Sequence, residues 1–360
     1  MGMKFRSGGF LTTVQDAGRT GYQQFGVPVS GAMDPRSFVL GNLLVGNDEG
    51  EASLEITLMG PMIEFTAANV VALTGADLSA TLNGVPMPRY RAVLVKPGDL
   101  LAFGMQKSGC RAYLAAAGGF DIEPVMGSRS TYLKAKIGGL QGRKLGKDDF
   151  LGFRAPAATL PNLDIRAVDP EDFSASERVL RVVLGPQDDA FTEDGRRTFL
   201  SGTYTVTNQS DRMGSRLEGP AVEHVKDGNI ISDGISFGAV QIPSEGKPII
   251  MLADRQTTGG YTKIANVITV DLPRITQSKP GDIIRFEAVS IEAAQELYLA
   301  QRARFEELRR SFEEKRGDSR APVAPGIALA ALGFSGGEER IFHVGLDGHD
   351  YRCVVREIKR

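Results

Sequence analysis

Three glycine-rich clusters hold most of the side chains in this sequence that could do chemistry. The first runs Thr12-Thr13-Val14-Gln15-Asp16-Ala17-Gly18-Arg19-Thr20-Gly21-Tyr22 and continues through Gly26-Val27-Pro28 to Ser30-Gly31-Ala32-Met33-Asp34. The second is Gly127-Ser128-Arg129-Ser130-Thr131. The third is Asp254-Arg255-Gln256-Thr257-Thr258-Gly259-Gly260-Tyr261, preceded by Gln241-Ile242-Pro243, with Arg212-Met213-Gly214 as a candidate addition. In each, glycine lets backbone amides approach a ligand while hydroxyls, guanidinium groups and carboxylates crowd the turn. That combination suits recognition of a carboxylate, a carbonyl or a phosphate. Each cluster also has a plainer structural reading. Asp34 before Pro35 reads as a helix N-cap. Asp16 and Arg19 read as a pair bracing a turn, Gly127 to Thr131 as a capped loop without a ligand, and Tyr261 as a packing residue. Spacing alone names no reaction.

The common catalytic constellations are absent. His224, His343 and His349 sit in no zinc spacing, so no metal site is expected. No Walker A pattern, nucleophile elbow or kinase signature occurs. An active site must therefore be built from Asp, Arg, Gln, Thr, Ser, Tyr and backbone amides. The net charge is -2, which supplies no global basic field for nucleic acid or an anionic membrane. Two cysteines make no disulfide scaffold. The N-terminus lacks the apolar core of a signal peptide, and no apolar run approaches the roughly 18 residues of a membrane span. A cytoplasmic protein is expected.

The elements that must position these clusters are mostly strands. Forty-three glycines in 360 residues, with no three-residue period, point to many tight turns in a β-rich chain. Val70 to Thr74, Arg91 to Val95, Leu100 to Phe103 and Arg111 to Ala117 read as strands of a barrel or sandwich. One helix starts at Asp34-Pro35 and ends at Gly46-Asn47. Beyond a Pro-containing linker at Ala155 to Phe173, a second β region begins with Val179 to Leu184. A short helix is expected over Asp188 to Leu200, capped by Asp188 or Asp189, and further strands at Tyr204 to Thr207 and Ile249 to Leu252. An internal echo joins the two regions: Lys96-Pro97-Gly98-Asp99-Leu100-Leu101-Ala102-Phe103 resembles Lys279-Pro280-Gly281-Asp282-Ile283-Ile284-Arg285-Phe286. Asp149-Phe150-Leu151-Gly152-Phe153 is a shorter version. The repeat fits two related barrels in tandem. Ile291 to Arg316 has amphipathic helical spacing, Gly317 to Gly326 reads as a linker, and Arg340 to Arg356 reads as a hairpin turning at Asp347-Gly348.

Taken in order, these motifs resemble the allophanate hydrolase subunit 2 family, which includes KipA, the carboxyltransferase part of urea carboxylase, and the C subunit of bacterial 5-oxoprolinase. The match adds Leu54-Glu55, Gly60-Pro61, Thr74-Gly75-Ala76-Asp77, Gly118-Gly119, Gly185-Pro186-Gln187 and Ser210-Asp211 to the clusters above, over roughly the first 290 residues. The resemblance implies a mainly β fold with a few helices: tandem cyclophilin-like β-barrels over 1–160 and 175–290. Outside the match are the amphipathic helix 291–316 and a linker with β-hairpin tail at 317–360. It also implies a partner, a KipI-like chain (allophanate hydrolase subunit 1), and a small-molecule substrate.

Three activities stand open under that resemblance. The first is a C-type subunit of an ATP-dependent 5-oxoprolinase, a hydrolase of C-N amide or lactam bonds, with ATP and magnesium used by the complex. The second is biotin-dependent carboxyl transfer of the urea carboxylase and urea amidolyase type, with carboxybiotin supplied by another protein. This chain has no Ala-Met-Lys-Met site, so no biotin is expected on it. The third is a KipA-like regulator that holds a kinase inhibitor. For an amide or lactam, Arg212 or Arg255 is the candidate carboxylate clamp. Gln241 or Gln256, with the amides of Gly259 and Gly260, would stabilise an oxyanion, and Asp254 or Tyr261 would handle a proton. Asp16, Arg19, Ser30, Arg129, Thr257 and Thr258 complete the expected substrate-binding set.

Overall fold

The computed structural model describes residues 1–314 and, by backbone alone, two strands near the C-terminus. The expected linker 317–326, the Asp347-Gly348 turn and the side chains of His343 and His349 lie outside the described residues. Met1–Lys315 forms one compact unit and Arg316–Arg360 another.

The first half of the larger unit contributes β1 (Gly2–Ser7), β2 (Leu11–Gln15), β3 (Ser53–Thr57), β4 (Met62–Phe65), β5 (Asn69–Asp77), β6 (Thr81–Leu82), β7 (Val85–Pro86), β8 (Ala92–Val95), β9 (Leu100–Ala102), β10 (Ser108–Ala116) and β11 (Phe150–Gly152). They form a sheet in the order β11-β1-β4-β9-β6-β7 and a second in the order β2-β3-β10-β5-β8. Met3, Phe5, Ile56, Phe65, Leu73 and Leu114 fill the core between them.

The second half contributes β12 (Glu177–Leu184), β13 (Tyr204–Val206), β14 (Gly214–Glu218), β15 (Asn229–Gly234), β16 (Ala239–Ile242), β17 (Ile249–Met251), β18 (Thr258–Val267) and β19 (Ile283–Ala288). Seven of them close a barrel in the order β12-β19-β13-β14-β17-β16-β18, because β18 also pairs with β12. Strand β15 pairs with the first part of β18 outside that ring. Leu180, Phe199, Val240, Ile264 and Phe286 are among the residues of its core. In the smaller unit, β20 (Arg340–Leu346) and β21 (His349–Val355) pair antiparallel, with Leu346 opposite His349.

The internal echo is a shared turn. Asp99 Oδ2 accepts from Lys96 N at 2.7 Å, and Gly98 takes φ +90°. Asp282 Oδ2 accepts from Lys279 N at 3.1 Å, and Gly281 takes φ +92°. Both glycines need that left-handed backbone. The third copy is looser in sequence but alike in construction: Asp149 Oδ2 accepts from Gly146 N at 2.7 Å. Each turn then delivers a strand, β9, β19 or β11.

Among the described residues four helices pack on this frame. Helix α1 (Pro35–Leu44) is capped as expected, with Ser37 N donating to Asp34 Oδ1 at 2.9 Å. The helix expected from Asp188 is displaced: Asp188–Ala190 makes only a 3-10 turn, and α2 (Glu193–Ser201) starts after Thr192, whose Oγ1 accepts from Gly195 N at 2.9 Å. A threonine three residues before a free amide outcompetes the two upstream aspartates. Helix α3 (Leu272–Thr276) is short. Helix α4 (Ile291–Glu313) buries Phe305, Leu308 and Phe312 against Leu40, Leu43, Leu44 and Tyr90, whereas Tyr298 of the expected apolar stripe is 44% exposed. Among the described residues no helix is long and apolar enough to cross a membrane.

The segment between the halves places Glu171 beside Arg36 of α1. Burial first, and the Asp34 carboxylate second, push Glu171 up to about 7 against the opposing pull of Arg36. A carboxyl raised on folding contributes stability below its unfolded pKa and loses it as pH rises through the folded value. Between pH 5 and pH 8 the wild type should therefore lose on the order of 2 kcal/mol relative to Glu171→Gln. Urea melts of both proteins at the two pH values check this; a difference that does not change with pH would sink it.

Candidate functional site

The three glycine-rich clusters converge where the Asp254–Thr257 loop of the barrel meets the first half of the chain. Arg212, 7% exposed, is the centre of the junction. Its Nε donates to Asp254 Oδ2 at 2.9 Å and its Nη2 to Asp254 Oδ1 at 3.1 Å, a two-pronged grip. Nη2 also donates to the Gly31 carbonyl at 2.7 Å, and Nη1 binds Glu55 Oε1 of β3. The other Glu55 oxygen accepts from Tyr113 Oη and from Met33 N, both at 2.8 Å. Burial alone would lower the Arg212 pKa, but Glu55 and Asp254 outweigh it and hold the guanidinium above its ordinary value. Burial, then Glu55 and Asp34, push the Tyr113 phenol well up, so it stays a proton donor.

A second strut crosses the same junction. Gln277, just after α3, donates from Nε2 to Asp34 Oδ2 at 2.8 Å, and its Oε1 accepts from Cys110 N and Arg111 N at 2.8 Å. Asp34 is thus both the α1 cap and a link to the barrel side. Burial raises its pKa first, and the bonds from Gln277 and Ser37 oppose that.

Asp16 organises the second cluster. It accepts from Ser128 Oγ at 2.7 Å, Ser130 Oγ at 2.5 Å, Arg129 N at 2.5 Å and Gly18 N at 2.8 Å. The Arg129 side chain turns to the Ile122 carbonyl at 2.8 Å. Arg19 is fully buried; Nε donates to the Val125 carbonyl and Nη2 to the Ser130 carbonyl, both at 2.9 Å, while Nη1 has no partner. Burial lowers the Arg19 pKa, with Asp16 and Asp254 opposing. Asp16 and Arg19 thus each tie the first cluster to the second, through separate contacts.

Arg255 differs from both other arginines. It is 8% exposed, yet its Nε donates only to the Ile235 carbonyl at 2.9 Å and its Nη1 to the Leu252 carbonyl at 3.2 Å. It lies 5.6 Å from the centre of the Phe237 ring and has no ion-pair partner among the described residues. Burial pushes its pKa down to about 10. It lines a cavity of about 440 Å³ with Asp16, Thr20, Ser30, Glu49 and Phe237. Ser30 sits at φ +56°, a strained backbone for a serine, and its buried Oγ has no partner. A guanidinium without a counterion and an unpartnered hydroxyl thus line one cavity, together with the carboxylates of Asp16 and Glu49. A larger cavity of about 890 Å³ lies among α1, α3 and α4, but its Arg36, Arg178 and Arg181 are already paired with Glu171, Asp282 and Asp271.

The remaining candidates divide. A Cβ on Gly259 would stand 3.0 Å from Gln241 Nε2 and 3.4 Å from Gln256 Nε2, so the missing side chain makes room for two amide donors. Gln241 Nε2 is buried without a partner. Ile235, whose carbonyl holds Arg255, also packs its side chain against Gly259. The Thr257 carbonyl anchors Ile235 N at 3.1 Å, while Thr258 is exposed at the start of β18, followed there by Gly260. Tyr261 is not brought to this cluster: it is 41% exposed and lines a separate groove with Pro243, Glu245 and Arg216. Glu55, Tyr113 and Gln277 received no role from the sequence. A lone carboxylate inside the wholly buried strand Ser53–Thr57 was the available signal for Glu55.

The model of the carboxyltransferase domain, subdomains A and B, matches residues 25–288. This chain belongs to that carboxyltransferase family. Within the family it is 38% identical to the C subunit of the 5-oxoprolinase of Escherichia coli K12, over 85% of this chain and 97% of that protein. It is 36% identical to the urea amidolyase of Lachancea kluyveri, over 84% of this chain but 18% of that protein. Among solved structures it resembles the urea carboxylase of Kluyveromyces lactis with a TM-score of 0.79 and 29% identity, over 95% of this chain and 32% of that one. The fold is thus that of the family, as the motif order implied.

Proposed function

We propose that this chain is the C-type subunit of an ATP-dependent 5-oxoprolinase and works with a KipI-like partner on 5-oxoproline. The two relatives match this chain about equally, 38% identical over 85% of it and 36% over 84%, so the reading is carried by the site rather than by the comparisons. The unpaired Arg255 in its cavity supports it, because 5-oxoproline brings a carboxylate and urea does not. Arg255 holds and orients that carboxylate, with the Ser30 hydroxyl as a second donor. Gln241 and Gln256 flank Gly259 outside that cavity and do not reach a ligand held on Arg255 in this reading. Both Asp254 oxygens already accept from Arg212, so Asp254 holds the Arg255 loop in place rather than moving a proton.

In this proposal an ATP-binding partner subunit holds the nucleotide and its magnesium. Carboxyl transfer is the second reading, favoured by the 95% coverage in the comparison with the urea carboxylase structure. Arg255 would equally accept the carboxylate of carboxybiotin. Reconstitution with the KipI-like and ATP-binding chains separates the two: ATP-dependent release of glutamate from 5-oxoproline is expected, and biotin-dependent urea carboxylation in its place would reject the proposal. In the same assay Tyr261→Phe should keep kcat/KM within about twofold, since the side chain lies outside the cavity. A loss of about 10²-fold or more, the size typical of a lost acid-base group, would return Tyr261 to the active site.

A further inference from the structure

Glu49 poses an electrostatic problem. It lines the same cavity as Arg255, so its carboxylate would repel an anion entering there. Helix α4 supplies the answer. Arg302 binds Glu49 through Nη1, and its Nη2 lies 3.2 Å from Glu49 Oε1. Arg309 reaches the same oxygen through Nη2 at 2.7 Å. The Arg302 and Arg309 side chains are 38% and 33% exposed, while the Glu49 side chain is 16% exposed. Two guanidinium groups from one helix face thus close over one carboxylate in the cavity wall. Helix α4 is held to this position by other contacts as well. Phe305, Leu308 and Phe312 are buried beneath it, and Arg166 Nη2 donates to the Phe312 carbonyl at 3.2 Å. It lies beyond the residues 25–288 of the family match.

We infer that Arg302 and Arg309 of α4 neutralise Glu49 and so set the anion affinity of the Arg255 cavity. They are positioning residues: they act through Glu49 and do not touch the ligand. This inference rests on the assignment of that cavity as the carboxylate-binding site.

The test uses the full chain and acetate as the probe. Phenylglyoxal modification of Arg255 is followed by peptide mass spectrometry, and the acetate concentration giving half-protection is measured. Arg302→Gln with Arg309→Gln should raise that concentration about tenfold, because one negative charge is unmasked near the bound anion. Adding Glu49→Gln to the double variant should return it to within about twofold of the wild type. Arg302→Lys with Arg309→Lys should keep it within about threefold, since the charge is retained. A helix that acted only as a scaffold would show no rescue by Glu49→Gln, and that result overturns the inference. Unchanged protection in the double glutamine variant, or no protection by acetate in the wild type, overturns it as well. If acetate protects as expected but no complex releases glutamate from 5-oxoproline, the substrate is wrong and the electrostatic role of α4 stands.

Discussion

Replacing Arg212 with methionine is expected to destabilise the protein by about 3–5 kcal/mol, the cost of leaving buried charges without their partner. Arg212 joins Asp254 and its own loop to Glu55 and Gly31 on the other side of the junction. The side chains of Arg212, Glu55 and Asp254 are 7%, 1% and 7% exposed, so solvent cannot take over when the guanidinium goes. Methionine preserves most of the volume, so the loss is electrostatic rather than a cavity. The triple variant Arg212→Met, Glu55→Gln, Asp254→Asn should recover a large part of the stability, because it removes the stranded charges as well. Urea melts of the wild type and both variants measure this. A loss under about 1 kcal/mol for Arg212→Met would show that the network is not what joins the two halves.

Arg255→Met should have the opposite profile. It is expected to lower kcat/KM for 5-oxoproline by about two to three orders of magnitude, the range for a desolvated charge pair broken on one side. Its effect on folding should be small, since the free protein gives this guanidinium only two carbonyl acceptors and no counterion. Arg255→Lys should recover little, because a point charge on a shorter stem loses the planar fork. Burial lowers the Arg255 pKa to about 10, still far above neutral, so the cation that binds the carboxylate is present throughout the assay range. A kcat/KM for Arg255→Met within about threefold of wild type would remove Arg255 from the site.

Much of the frame was readable along the chain because its causes are local. Asp34-Pro35 predicts the start of α1, since a cap needs only the amide three residues on. The Lys-Pro-Gly-Asp turns predict where β9 and β19 begin, since the aspartate closes on an amide three residues back. The spacing of Phe305, Leu308 and Phe312 predicts the buried face of α4. The family and its candidate residues were also legible, because long motifs stand in order. The helix start near Asp188 was not, because two aspartates and a threonine compete for it and the choice depends on where Phe191 is buried.

What each arginine does could not be read from the chain. The motifs hold Arg19, Arg212 and Arg255 alike, and composition treats them as equals. Folding gives Arg212 a carboxylate 157 residues away, leaves one nitrogen of Arg19 without a partner, and places Arg255 in a cavity without a counterion. Glu49 likewise meets Arg309 260 residues further along the chain, and Asp34 meets Gln277 across 243. The sequence by itself determined the local turns, the caps, the helix face and the family, because those depend on neighbours within a few residues. Only the tertiary structure decided which charges are paired and which one is left without a counterion. Barrel closure and the docking of α4 bring groups together that share no local pattern, and burial then makes each pairing count.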